Sequence, residues 1–350
     1  MARRGPPASW SPGSLRFFIG TVSKAVAPQT PRPHSTTLRA AQNQGAYSGA
    51  PVSNWSPAHP WTRPPFGWWE TGALFGRGFR ATTSRATFPP YMLSSMPRVP
   101  LPDVIHHADR LLHPERFSDY DGALNGLQFE NRGHVSRIAA AVDATVPVVQ
   151  LAIAAGADLL VVHHGLFWGP NLPWTGRRAA MIRLLVEHDL AVYSQHLPLD
   201  GHPVLGNAAQ LGRALGFRRL RPFFARKEAW IGVQTELSRP LPLVKLAERL
   251  GQVLGSAPKV LPGGPSQCRR IGICTGGAGS EIAQAAGEGI DTFITGEGPH
   301  WTYALAEDHG VNALYGGHYA TETFGVKALA KGLAQRFKLP WVFVDHPTGL

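Results

Sequence analysis

Cysteine is nearly absent: Cys268 and Cys274 are the only two in the chain. That is too few for a disulfide scaffold and fits a reducing compartment, so a cytoplasmic location is expected. Long apolar runs are missing as well, and none approaches the ~20 residues that a bilayer-spanning helix needs. Acids are scarce in one region only. Residues 1–100 hold 11 Lys and Arg against a single acid, Glu70, which leaves 23 basic and 22 acidic side chains for the rest of the chain. The formal net charge of +11 therefore sits almost wholly in the N-terminal segment. A nucleic-acid function would need a basic face on the folded part, and the near-balance there gives it none.

Residues 1–98 also lack sustained apolar periodicity. They are dense in Pro, Ser, Arg, Gly and Trp, with pairs such as Pro6-Pro7, Pro64-Pro65 and Pro89-Pro90. Such a composition cannot bury enough apolar surface to offset chain entropy, so a disordered extension is expected. An Arg- and Ser-rich, acid-poor leader is similar to an organelle transit peptide, with residues 15–22 as its one amphipathic patch. The abrupt onset of a folded pattern after Met96 favours a different origin, translation starting at Met92 or Met96.

From Pro102 onward helix and strand signals alternate. Residues 103–112 have helical spacing with Asp103 as the expected cap, and a polar loop over 121–130 follows. Residues 137–143 read as a strand, Thr145 caps a helix with Pro147 in its first turn, and 158–162 is the next strand. Strand, helix and strand in so short a span make a βαβ unit and hence a parallel sheet. Further strands are expected at 190–196, 230–235, 270–274, 291–295, 311–315 and 341–345, with helices between most of them. Residues 218–227 read as a basic, loop-like connection. The glycine-rich turn at 275–280 either cradles a phosphate on its backbone N–H groups or simply reverses direction. It lacks the Lys-Ser/Thr of a P-loop and the spacing of a dinucleotide fingerprint.

The stretch Asp158-Leu-Leu-Val-Val-His163-His164-Gly165 organises the rest. Neighbouring residues on a strand point to opposite faces, so two adjacent histidines are useful together only where a strand ends and both rings can lean over the sheet edge. The carboxyl edge of a parallel sheet is where ligands bind. His196 and Asp200 follow the next strand. His318 and Glu322 lie four apart at the start of a helix marked by Phe324, Val326, Leu329, Leu333 and Phe337. Imidazole with carboxylate suits Zn, Mn, Fe or Ni better than the all-oxygen shell of Ca. Two ions with three protein ligands each need six contacts. Five residues supply them if Glu322 bridges and His163 and His164 each serve a different ion. Trp168 and Trp174 form either a lid over this site or a local cluster.

Five ordered stretches, Ala141-Val-Asp-Ala-Thr145, Asp158-Leu-Leu-Val-Val-His-His164, His196-Leu-Pro-Leu-Asp200, Thr295-Gly-Glu-Gly-Pro-His300 and Gly316-Gly-His-Tyr-Ala-Thr-Glu322, resemble the signature of the NIF-three-like dinuclear-metal family. Many of its members carry the name GTP cyclohydrolase 1 type 2 homologue. The resemblance implies an α/β fold of two interlinked α/β domains with mixed, largely parallel sheets, in the compact form without an inserted domain. It places a discontinuous metal-binding domain at 99–224 plus 296–350 and a smaller α/β domain at 225–295. It implies two divalent metal ions held by His163, His164, Asp200, His318 and Glu322. The family has Thr-Gly-Asp where this chain has Thr295-Gly296-Glu297, so Glu297 receives no role. A homo-oligomer, in some relatives a ring-shaped hexamer, is also implied. The expected activity is metal-dependent hydrolysis of a nucleotide, phosphoester or related small molecule, with His196 or His300 moving a proton. The other reading is a non-catalytic metal-binding regulator or adaptor.

Overall fold

Residues 138–143 and 159–164 are apolar almost throughout, and strands of that kind are stable only when both faces of the sheet are covered. In the computed structural model, which describes residues 97–350 apart from 170 and 171, they are central strands of a five-stranded sheet. The expected extension at 1–98 lies outside the described residues except for its last two. The chain opens with β1 (Val99–Pro100) and α1 (Leu101–Leu112). Next come β2 (Gly126–Phe129), β3 (His134–Val135), β4 (Ile138–Asp143), α2 (Val146–Ala154), β5 (Leu159–His164), α3 (Gly176–Glu187), β6 (Ala191–Ser194), α4 (Leu197–Asp200) and α5 (Asn207–Ala214). The second half holds β7 (Arg221–Arg226), β8 (Ala229–Pro242), α6 (Leu243–Leu254), β9 (Lys259–Pro262), β10 (Gln267–Ile273), α7 (Ile282–Gly287), β11 (Thr292–Thr295), α8 (Thr302–His309), β12 (Asn312–Tyr315), α9 (His318–Phe337) and β13 (Trp341–Phe343).

The five-stranded sheet has the order β13-β4-β5-β6-β2, parallel except for β2 at its edge. Side-chain alternation sorts its core into two layers. Ile138, Ala140, Leu159, Val161 and Tyr193 pack with Val326, Leu329 and Leu333 of α9 and with α1. Ala139, Ala141, Leu160, Val162 and Val192 pack against α2 and α3 on the other face. The six-stranded sheet, β7-β8-β10-β11-β12-β9, is parallel only in its centre, β10-β11-β12. Ile271, Ile273, Ile294 and Leu314 meet α5 and α6; Phe223, Phe293 and Ala313 meet α7 and α8. Each fully buried Leu or Phe in these layers contributes about 1.5–3 kcal/mol. No helix among the described residues is long and apolar enough to cross a membrane.

Several local expectations need correction. Asp103 does not cap α1: the helix starts earlier, with Pro102 in its first turn, and Asp103 sits inside that turn, where its charge suits the helix dipole. Thr145 does cap α2, its hydroxyl accepting the Val148 N–H at 3.4 Å. The polar loop over 121–130 contains strand β2, and the basic connection at 218–227 contains strand β7. The six-stranded sheet takes its strands from residues 221–315, a span wider than 225–295. β12 therefore hydrogen-bonds beside β11, although its sequence position falls in the part expected to hold the metal ligands.

Candidate metal centre

The carboxyl ends of the parallel strands from both sheets supply one cluster of side chains. β5 delivers His163 and His164, the turn after β6 delivers His196, and short α4 delivers Asp200. From the other sheet, β12 leads into α9, which carries His318 and Glu322 on successive turns of one face. Strand β5 runs through both histidines instead of stopping before them, with His164 in register with Asp143. Their rings nevertheless lie only 4.8 Å apart, because at the sheet's carboxyl edge no further row of residues holds them to opposite faces.

Three groups have ligand atoms close enough to share an ion: His163, Asp200 and Glu322; His164, His318 and Glu322; and His163, His164 and His196. Glu322, almost fully buried, joins the first two. Its Oε1 is 3.5 Å from His163 Nε2, and its Oε2 is 3.2 Å from His164 Nε2 and 3.1 Å from His318 Nε2. His163 Nε2 also stands 3.5 Å from Asp200 Oδ2. At these separations and angles His163 Nε2 and Glu322 Oε2 are buried polar atoms with no hydrogen-bond partner. Orphaned buried polar atoms are uncommon and call for an explanation. A cation between them supplies it, so the residues fit a divalent metal.

The outer contacts point the same way. Every histidine of the cluster gives its Nδ1 to an acceptor: His163 to the Gln195 carbonyl at 3.0 Å, His164 to Asp143 at 2.8 Å, His196 to Asp119 at 2.8 Å and His318 to Glu297 at 2.7 Å. That arrangement fixes the ring orientation and leaves each Nε2 for the cluster, as in metal-ligating histidines generally. Asp200 is held by Asn207 Nδ2 at 2.9 Å and by the Thr275 hydroxyl at 3.4 Å, both on Oδ1, which keeps Oδ2 toward His163. Asn207 Oδ1 in turn accepts the Gly325 N–H of α9 at 2.6 Å.

The electrostatics are those of a site built for positive charge. Burial alone would lower the His163 pKa, but the carboxylates of Asp200 and Glu322 outweigh it and raise it well above the usual imidazole value. Burial opposes the Glu322 charge, yet His163 and then His318 and His164 hold its carboxyl well below the ordinary range. His318, pulled down by burial and up by Glu322 and Glu297, is pushed up to about 9. A cation bound among these groups would displace those protons.

The glycine-rich turn lies directly on this cluster. Gly276 has φ +69°, and a Cβ there would fall on Glu322 Oε1. The turn is not arranged as a phosphate cradle. The N–H of Gly276 goes to the Thr321 hydroxyl, that of Ala278 to the Thr295 hydroxyl and that of Gly279 to the Glu297 carbonyl. Gly276 gives room to the carboxylate instead.

The two tryptophans separate. Trp168, 47% exposed, stands 4.7 Å from the His196 ring and 5.4 Å from that of His164. Trp174 belongs to a local cluster with Phe167 and Arg178. A cavity of about 330 Å³ beside the cluster is lined by Asp143, His164, Trp168, Glu297 and His318. All five expected ligands and His196 are thus brought together; His300 is exposed, precedes α8 and belongs to none of the three groups. Sequence reasoning missed Asp119, Asn207 and Thr275 and left Glu297 without a role. Their only signal was an ordinary polar residue in a loop or at an element end.

Residues 99–348 match the protein family described as Duf34/NIF3 (NGG1p interacting factor 3). Among curated proteins, the GTP cyclohydrolase 1 type 2 homolog of Deinococcus radiodurans is 43% identical over 230 residues, 66% of this chain and 88% of that one. The protein of the same name from Pseudomonas aeruginosa is 37% identical over 250 residues, 71% of this chain and 98% of that one. Among solved structures, TTHA1606 from Thermus thermophilus superposes with a TM-score of 0.67 at 37% identity, covering 72% of this chain and all of that one. Reduced HcgD from Methanocaldococcus jannaschii, at 21% identity and a TM-score of 0.64, shares the fold.

Proposed function

The chain belongs to the Duf34/NIF3 family, and from that premise and the cluster's geometry we propose a dinuclear divalent-metal centre serving a metal-dependent hydrolase. The observation that carries the reading is the convergence of three imidazole Nε2 atoms, those of His163, His164 and His318, each backed by an acceptor on Nδ1, onto two buried carboxylates with orphaned atoms among them. His163 with Asp200 would hold one ion and His164 with His318 the other, and Glu322 would bridge. Zn, Mn, Fe and Ni all suit this ligand set. When bound, such a pair supplies Lewis acidity and makes water a better nucleophile at neutral pH.

The chain's own residues do the rest. Trp168 and the cavity beside it give a small molecule a wall to lie against, and Asp143 and Glu297 keep the ligand rings from turning. The proton-moving role falls to His196, whose Nε2 stands beside His163 and His164, and not to the exposed His300. The substrate proposed is a nucleotide, phosphoester or related small molecule, in keeping with the name of its relatives. The family's description as an interacting factor supports a second reading, a non-catalytic adaptor. The test is a turnover screen of metal-loaded protein against nucleotides and phosphoesters, beside His163→Ala and Glu322→Ala. Turnover lost in both variants supports the hydrolase; turnover that survives ligand removal defeats the dinuclear mechanism. Two buried thiols fit a reducing compartment, so the proposed location is the cytoplasm. A homo-oligomer with sites facing a shared interior is proposed as well, and light scattering that returned a monomer at micromolar concentration would end that part.

A further inference from the structure

Asp119 lies in the connection between α1 and β2, far from the cluster in sequence, and receives four hydrogen bonds. His196 Nδ1 donates to it at 2.8 Å, Asn125 Nδ2 at 2.9 Å, the Tyr120 N–H at 2.7 Å and the Leu197 N–H at 3.2 Å. Asn125 closes the clamp from the other side, its Oδ1 accepting the His196 N–H at 2.7 Å. The connection itself is tied to the second sheet: Lys227 donates to the Ser118 hydroxyl at 2.6 Å, and the Arg226 guanidinium lies 3.9 Å over the Tyr120 ring. An ionised carboxylate can only accept. Three N–H donors besides the imidazole already engage both oxygens of Asp119, which suits an ionised carboxylate and leaves His196 Nδ1 the role of donor.

We infer that Asp119 is a positioning residue that fixes His196 in the tautomer with its proton on Nδ1, so that Nε2 presents a free lone pair to the substrate side of the metal centre. The outer contact resembles those of His163, His164 and His318. What sets His196 apart is its place. Its ligand atom is grouped only with those of His163 and His164, never with Asp200, Glu322 or His318. The three-histidine group holds no carboxylate, so the two proposed ions are assigned to the two groups that share Glu322, and His196 stands beside them. Tyr120 and Trp168, about half exposed, flank its ring at 5.7 Å and 4.7 Å. The inference rests on the reading of His196 as the proton-moving group.

The experiment uses full-length, zinc-loaded protein with nitrogen-labelled histidine, in which NMR reports which ring nitrogen carries the proton. His196→Gln identifies the signal by its loss. The wild type should show His196 protonated at Nδ1 with Nε2 free. Asp119→Asn should yield mixed tautomers, because the amide can donate as well as accept, and Asp119→Glu should restore the Nδ1 proton at least in part. In parallel, hydrolysis of bis(p-nitrophenyl) phosphate should fall about 100-fold in kcat in Asp119→Asn with KM little changed. The double variant with His196→Gln should be no slower than His196→Gln alone. An unchanged tautomer in both Asp119→Asn and Asp119→Ala would overturn the inference. So would scalar coupling between His196 Nε2 and bound cadmium, which would make His196 a ligand. If the wild type turns over nothing, the hydrolase reading fails on this probe, while the tautomer measurement still decides the role of Asp119.

Discussion

Gly276→Ala tests the cradle around Glu322. Gly276 holds φ +69°, a conformation that costs a residue with a side chain about 1–2 kcal/mol. In a folded region of this size such a loss lowers Tm by roughly 2–8 °C. The backbone has little freedom to relax. Its N–H goes to Thr321 at 3.2 Å, and its carbonyl accepts from Gly296 at 2.8 Å, Glu297 at 3.0 Å and the Thr295 hydroxyl at 3.1 Å. The new methyl would fall on Glu322 Oε1 and lie 3.2 Å from Glu322 Cδ and 3.3 Å from His318 Nε2. The shared carboxylate must therefore move, and both ions should bind more weakly. Metal at 100 times its Kd stabilises a protein by about 2.7 kcal/mol. A 100-fold loss of affinity would remove most of that, a further drop of roughly 5–11 °C seen only with metal present. The assay is thermal melting with chelator and with metal, and Gly277→Ala is the control. Gly277 has φ −89°, and a Cβ there meets nothing nearer than His318 Cε1 at 3.7 Å. If Gly276→Ala keeps the wild-type metal-induced rise in Tm, the cradle reasoning is wrong.

Glu322→Gln should reduce both ions in parallel, whereas His163→Ala should empty its own position first; elemental analysis after dialysis distinguishes them, and a wild type saturating at one ion per chain would refute the bridge. The metal-free protein should lose stability as pH rises from about 6.5 through about 9. The raised His318 pKa contributes fully below the unfolded value of 6.5 and is lost above the folded one. Saturating metal should abolish that loss, because apparent metal affinity rises as the imidazoles lose their protons; melting curves at both ends of the window, with and without chelator, should draw apart as pH rises. A chain beginning at Met96 should melt cooperatively and bind as much metal as the full chain, as scanning calorimetry and metal analysis would show.

The strands that were easy to see in the sequence are the central, parallel ones. Leu159 to Val162, and Phe293 with Ile294, must be apolar because helices cover both faces of their sheets. β2, β7 and β9 escaped notice because each is an antiparallel edge strand, paired on one side only. Half of such a strand faces solvent, so a sequence like Arg221-Pro-Phe-Phe-Ala-Arg226 reads as readily as a loop. The candidate ligands were legible for a related reason. His163, His164, His318 and Glu322 sit at element ends, where local spacing fixes position, and imidazole beside carboxylate carries its chemistry in the residue type. Asp119, Asn207, Thr275 and Glu297 carry no such mark. Asp119 reaches His196 across 77 residues of chain, and Thr275 reaches Asp200 across 75. The first exists because β2 pairs with β6 in the five-stranded sheet, and the second because the two sheets bring their carboxyl edges together. Sequence sets which groups can bind a metal; tertiary packing decides which way each ring faces and which acceptor holds it there.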